Sequence, residues 1–340
     1  MITTPEFFKK AIAVIMSCLL LFSLVACNTD TTNPREQDSP YVVIVDQSGR
    51  EISVTQPVER IVSVFYISTS LCIALGIAYR LVGIEGRAAE RPIYALAMPE
   101  LLELPVAGTA RDFSVENALA MEPDLVIVPM RQRESAVILT DMGIPAIVVN
   151  PENIDALVEM IQLIAVATGS EDRAAALINH INSSLGEFEL LIAQIENKPI
   201  VYIGGNSSYL STSPNDMFQA SLIRLAGGIN AFDYPGETRV DISYEQLLAI
   251  NPDIIIIPPE ATYSREDILA NHTLQSLNAV MSGRVYQMPY TFEAWDSPIP
   301  SFTLGVRWLL TVIHDDLYCT DDFYDAVSAF YYEFYNFEIS

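Results

Sequence analysis

Apolar positions along this chain follow two rhythms. Short, nearly unbroken apolar runs at Ile61 to Val64, Leu81 to Ile84, Leu125 to Val128 and Ala146 to Val149 predict strands buried on both faces. Ile200 to Ile203, Ile254 to Ile257 and Val285 to Met288 repeat the signal later. Between the runs, the three-to-four-residue rhythm predicts helices at Thr69 to Ala78, Val115 to Met121, Met217 to Ala226, Tyr244 to Ala249 and Ser301 to Leu317. Strands alternating with helices predict parallel α/β sheets. Ahead of them, Tyr41 to Asp46 and Glu51 to Val54 read as two strands joined by a turn, with Gly49 where a positive φ is wanted. A helical region runs from Ile154 to Glu196, interrupted near Gly169 and Ser170. Its second part spaces Leu177, Ile181, Leu185, Phe188, Ile192 and Ile195 three or four apart, which predicts one apolar stripe on a strut between two α/β halves.

The halves repeat each other. Ser114 to Pro129 (SVENALAMEPDLVIVP) aligns without gaps on Ser243 to Pro258 (SYEQLLAINPDIIIIP), with half of the positions identical. In each copy a serine is placed to cap a helix whose second residue is a glutamate, Glu116 or Glu245, where the helix dipole favours negative charge. The Pro-Asp pair then turns the chain into a buried strand. The expected organisation is a first lobe over 41–152, a helical strut over 153–197 and a second lobe over 198–340. A Tyr- and Phe-rich stretch, Asp321 to Phe337, is expected as a helix packed on a lobe.

Residues 1–26 read as an export leader. Lys9 and Lys10 precede an apolar run, Ala11 to Val25, that is too short to span a bilayer. The leader closes on Leu24-Val25-Ala26, directly before Cys27, and residues 28–40 form a polar tether. Composition then removes whole classes of function. Hydrophobic residues at 51% and charged ones at 18% exclude a disordered chain. Eighteen Lys+Arg against 43 Asp+Glu, a net charge of −25, exclude a free nucleic-acid binder. Beyond the leader the only lysine is Lys198, so the positive charges are almost all guanidinium forks suited to oxyanions. His180, His272 and His314 are too scattered for a built-in metal site. Cys18 leaves with the leader. Cys72 and Cys319 are expected as buried free thiols, with pairing as the alternative.

Two resemblances sharpen this picture. Leu24-Val25-Ala26-Cys27 resembles the lipobox of bacterial lipoproteins, which implies a lipidated Cys27 (palmitate among its acyl chains) and attachment to the extracytoplasmic face of the cell membrane. From residue 41 to about residue 317 the chain resembles the substrate-binding lipoproteins of ABC importers for iron–siderophore complexes, haem and cobalamin. The likeness rests on segments in family order. They are Gln56 to Ser63, Ala74-Leu75-Gly76 with Leu81-Val82-Gly83, Pro105 to Gly108, both copies of the repeat, Gly143-Ile144-Pro145, Leu225 to Asn230, and Gly283 to Tyr286. It implies two Rossmann-like lobes with parallel sheets, joined by a single long helix, with the ligand held between them. It further implies a monomer without catalytic residues, cofactor or resident metal. Its partners would be an ABC permease and its ATPase, with Glu116 and Glu245 docking on the permease.

In open α/β sheets ligands meet the loops at the carboxyl ends of the strands. Those loops offer Tyr66, Arg87, Arg111 and Arg131 in the first half, and Tyr209 and Trp295 in the second. Arginine forks suit an anionic chelate and aromatic faces a flat or greasy one. Trp295 stands out through the resemblance, because relatives similar to the cobalamin binder carry a tryptophan in the corresponding loop. The expected ligand is a chelated metal, first a ferric siderophore, with cobalamin, haem or molybdate/tungstate left open. A secreted hydrolase and a surface adhesin are the remoter alternatives. The chain lacks a Gly-x-Ser-x-Gly elbow and a His-Glu-x-x-His motif, and an adhesin has no reason to carry paired glutamates.

Overall fold

The computed structural model describes residues 40–339, so the predicted leader, Cys27 and most of the tether lie outside the described residues. An antiparallel hairpin comes first, β1 (Tyr41–Val45) with β2 (Glu51–Thr55), and its turn uses Gly49 at φ +83°. Five parallel strands follow: β3 (Ile61–Ser63), β4 (Leu81–Glu85), β5 (Val106–Gly108), β6 (Leu125–Pro129) and β7 (Ala146–Val149). Their order in the sheet is β5-β4-β3-β6-β7. Every residue of β3, β6 and β7 is buried, as unbroken apolar runs require of strands covered on both faces. Helices α1 (Tyr66–Ala74), α2 (Pro92–Ala97), α3 (Val115–Leu119) and α4 (Arg133–Asp141) connect these strands.

Two helices, α5 (Ile154–Thr168) and α6 (Glu171–Ile192), lead to a second parallel sheet. It contains β8 (Ile200–Ile203), β10 (Ile229–Asn230), β12 (Ile254–Ile257) and β13 (Val285–Gln287), ordered β10-β8-β12-β13. Beside it β9 (Ser211–Thr212) pairs antiparallel with β11 (Val240–Asp241). Helices α7 (Phe218–Leu225), α8 (Tyr244–Ile250), α9 (Arg265–Leu269), α10 (Asn278–Met281) and α11 (Phe302–Ile313) complete this half, and α12 (Thr320–Tyr335) closes the chain.

The sequence repeat is a structural one. Ser114 Oγ accepts from the Asn117 amide at 3.1 Å, and Ser243 Oγ from the Gln246 amide at 3.2 Å. Each copy then passes through a left-handed residue, Glu122 at φ 50° and Asn251 at φ 46°. The aspartate that follows ties down the neighbouring strand: Asp124 accepts from the Arg60 amide and Asp253 from the Ile200 amide, both at 2.9 Å.

The strut breaks where the sequence interrupts it: Gly169 adopts φ +69° as the left-handed cap of α5, so the single long helix that the resemblance implies is two helices. The stripe holds through Phe188, but α6 stops at Ile192 and Ile195 lies beyond it. The final helix, moreover, packs on both halves and on the strut. Tyr335 Oη pairs with Ser70 Oγ of α1 at 2.7 Å, Trp295 Nε1 donates to Tyr331 Oη at 2.9 Å, and Arg173 of α6 lies 5.0 Å from the Phe334 ring centre. The reason is the width of its apolar face. Phe323, Val327, Phe330, Tyr331, Phe334 and Tyr335 are all buried, a wide apolar face for one helix. At the junction sits the buried carboxyl of Glu293, which accepts from Ser70, Ser301, Tyr331 and Tyr335. Burial pushes its pKa up and the four hydroxyls oppose the shift. Cys72 is buried and Cys319 exposed, and both thiols are free, so the expectation of two buried thiols holds only for Cys72.

Candidate ligand cleft

The loops at the carboxyl ends of β3 to β7 are held to one another, and that positions the cationic side chains. Gly108, at φ +122°, lets the loop after β5 fold back on itself; a Cβ there would lie 2.2 Å from the Asp112 carbonyl oxygen. The returning loop carries Arg111. Gln132, in the turn after β6, donates from Nε2 to the carbonyls of Ala110 at 3.2 Å and Arg111 at 3.0 Å. Arg131 precedes Gln132, so a single amide fixes both arginine-bearing loops. After β3, Ser63, Ser68 and Thr69 hydroxyls link to one another at 2.8 Å and set the start of α1, where Tyr66 is the first residue.

Two adjoining cavities open here, of about 570 Å³ and about 380 Å³, sharing Phe65, Tyr66, Ala110 and Arg131. The larger one is walled on its far side by Gln219, Ser297 and Pro298 of the second half. The smaller is lined by Glu85, Arg87, Arg91, Thr109 and Arg111. Both have the scale of small-molecule sites. Among the described residues Arg111 and Arg131 make no ion pair, whereas Arg87 is tied to Glu90.

Arg91 straps the halves together. Its Nη1 donates to Glu260 Oε1 at 2.9 Å and to Tyr290 Oη at 3.0 Å, and its guanidinium lies 4.4 Å from the Tyr66 ring centre. The Ile93 amide donates to the Phe292 carbonyl at 3.1 Å beside it. Burial works against the Arg91 charge, but Glu260 and Tyr290 more than offset it and the pKa is raised. On the facing wall Gln219 Nε2 donates to the Asp296 carbonyl at 3.0 Å. Burial pushes the Asp296 carboxyl up to about 6; nearby Arg239 opposes the shift and Glu260 adds to it.

Of the six residues expected at the cleft, Tyr66, Arg87, Arg111 and Arg131 line it. Trp295 does not. It is 2% exposed, with its indole N–H given to Tyr331 and its ring against Phe292 and Phe323. The final helix has claimed it for the core. Tyr209 also turns inward: its hydroxyl pairs with that of Tyr244 and accepts from Asn271, both at 2.8 Å, and its ring packs on Tyr263. Glu85, Arg91 and Gln219 were not singled out. Glu85 is the last residue of a buried strand and carried a strand-end signal; Arg91 and Gln219 start short helices, where sequence says nothing of direction.

Glu116 and Glu245 are both exposed in the first turns of α3 and α8. Each helix runs against the strand it leads into, so both glutamates lie toward the carboxyl ends of the strands, the side that bears the cleft. Among the described residues no three His, Cys, Asp or Glu side chains gather as metal ligands. No helix among them is long and apolar enough to cross a membrane.

Two α/β lobes meeting at a cationic, ligand-sized cleft define a bilobal solute-binding protein. The chain belongs to the periplasmic binding protein family, whose model matches residues 61–291. It is similar to the molybdate-binding protein MolA of Haemophilus influenzae, at 21% identity over 86% of this chain and 90% of the relative. It is also similar to YvrC of Bacillus subtilis, described as an uncharacterized ABC transporter substrate-binding lipoprotein, at 24% identity over 82% of this chain and 87% of the relative. The solved structure of the Haemophilus protein bound to molybdate superposes with a TM-score of 0.79 at 20% identity, covering 88% of this chain and 99% of that one.

Proposed function

We propose that this protein is the substrate-binding subunit of an ABC importer, that it captures an anionic metal chelate of the ferric-siderophore kind between its lobes, and that it hands the chelate to the permease. Lipid on Cys27 holds it at the extracytoplasmic face of the membrane. The observation that carries this reading is the pair Arg111 and Arg131, free of ion pairs among the described residues, in a chain of net charge −25. Cations left unpaired amid so many carboxylates suit an anion supplied from outside. The cavities of about 570 Å³ and about 380 Å³ support a chelate over a bare ion. Among the described residues no side chains gather as a metal cluster, which favours a metal that arrives with its own donors. The second reading is a tetrahedral oxyanion such as the molybdate named for the Haemophilus relative. The same arginines would hold it, leaving most of the cleft to water. Glu116 and Glu245 are the proposed contacts to two equivalent cations of the permease.

Calorimetric titration with ferric siderophores, haemin, cobalamin and molybdate tests the ligand. Heat is the better readout, because Trp295 and Trp308 are both buried away from the cavities. Saturable binding of an anionic ferric chelate is expected, weakened by about 1–3 kcal/mol in Arg131→Ala. Tight binding of a neutral sugar or peptide, with no response to any of the four, removes the proposal.

A further inference from the structure

Glu85 is the one carboxylate in a cavity that also holds Arg87, Arg91, Arg111 and Arg131. It is 4% exposed, yet none of those arginines forms an ion pair with it. Neutral hydroxyls hold it instead. Tyr94 Oη donates to Oε1 at 2.6 Å and Thr69 Oγ1 to Oε2 at 3.0 Å, from α2 and α1. An unpaired buried carboxyl is costly, and an amide or apolar residue would fill the end of β4 more cheaply. Each carboxylate oxygen has two acceptor positions, and the two hydroxyls with Glu85's own backbone amide leave one of the four unused. The cavity is therefore bipolar, with guanidinium groups on its walls and an acceptor-rich carboxyl among them.

From this geometry, and resting on the anionic-chelate reading above, we propose that Glu85 is a specificity residue. It selects an anionic chelate that also presents a hydrogen-bond donor, an amine, amide N–H or free hydroxyl. It disfavours ligands built only of acceptor oxygens. A ligand with anionic oxygens alone satisfies the arginines but brings only acceptors toward the open acceptor position of Glu85. A chelate with a donor on its ligand shell satisfies both.

The test compares two anionic ferric tris-catecholates of equal charge, one with free amide N–H groups and its N-methylated twin, titrated calorimetrically into the purified chain. The donor form is expected to bind about 10-fold tighter or more, the scale of a hydrogen bond to a charged group. In Glu85→Gln the gap narrows, and in Glu85→Leu it closes to within about threefold, with the twin bound no more weakly than before. A purely structural Glu85 would weaken both chelates alike. Equal binding of the two by the unaltered chain overturns the inference while leaving the anionic-chelate reading intact, and needs no variant to fold. If neither chelate binds, both fall together.

Discussion

Replacing Asp296 with asparagine removes a carboxyl that is 5% exposed and whose pKa burial pushes from 3.8 up to about 6. The sign follows from proton counting. In the window between those values the unfolded chain has released this proton and the folded chain still holds it. Stability from this group is therefore full below the unfolded value, falls as pH rises toward the folded value, and stays lower above it. The displacement of about two pH units corresponds to about 3 kcal/mol in total. Measurements must stay above the isoelectric point of about 4.3 to keep the protein soluble. From pH 4.5 to pH 8, about 2 kcal/mol of the effect remains accessible. Urea unfolding of both proteins at half-unit steps gives the difference directly, and the rest of the protein's titration largely cancels. The asparagine variant should gain on the parent by about 2 kcal/mol across that range, most of it below pH 6.5. A difference that stays flat with pH would refute the argument that burial dominates Arg239 at this site.

Trp295→Ala should cost about 3–5 kcal/mol of stability by emptying the core under α12, while the folded fraction binds ligand within about twofold of the parent; a selective loss of affinity would return Trp295 to the cleft. Glu116→Ala combined with Glu245→Ala should abolish uptake in cells while chelate affinity and melting temperature barely change, since each capping helix gains only about 0.3–1 kcal/mol from its glutamate. Full uptake would reduce both to helix starts. Small-angle scattering should show almost no change in radius of gyration on ligand addition, because the Arg91–Glu260 strap and α12 both tie the lobes. A marked contraction would show that these ties yield.

The strands were legible because burial on both faces writes itself as an apolar run: β7 and β12 have the predicted ends, and β6 gains only Pro129. The repeat at Ser114 and Ser243 was legible because capping and Pro-Asp turns are local chemistry. Direction was not. Trp295 follows a strand as Arg131 does, but a helix more than twenty residues further on decides that the indole is covered, and nothing local records it. Arginine in the loops was the sounder guide, since a guanidinium resists burial where an aromatic ring invites it. Arg91 escaped notice because its partners, Glu260 and Tyr290, lie far along the chain and no spacing links them.

The place of α12 has a consequence for the order in which this protein can be built. A chain synthesised from its N-terminus offers α1, α6 and Trp295 to solvent before residues 320–335 arrive to cover them. Until then Glu293 has only the serines Ser70 and Ser301 as hydroxyl partners, and the apolar seat is open. Each half can acquire its sheet early, but their final fit waits for the last helix. A chain cut short at residue 318 is therefore expected to leave an apolar seam open where Ser70, Trp295 and Arg173 meet the last helix.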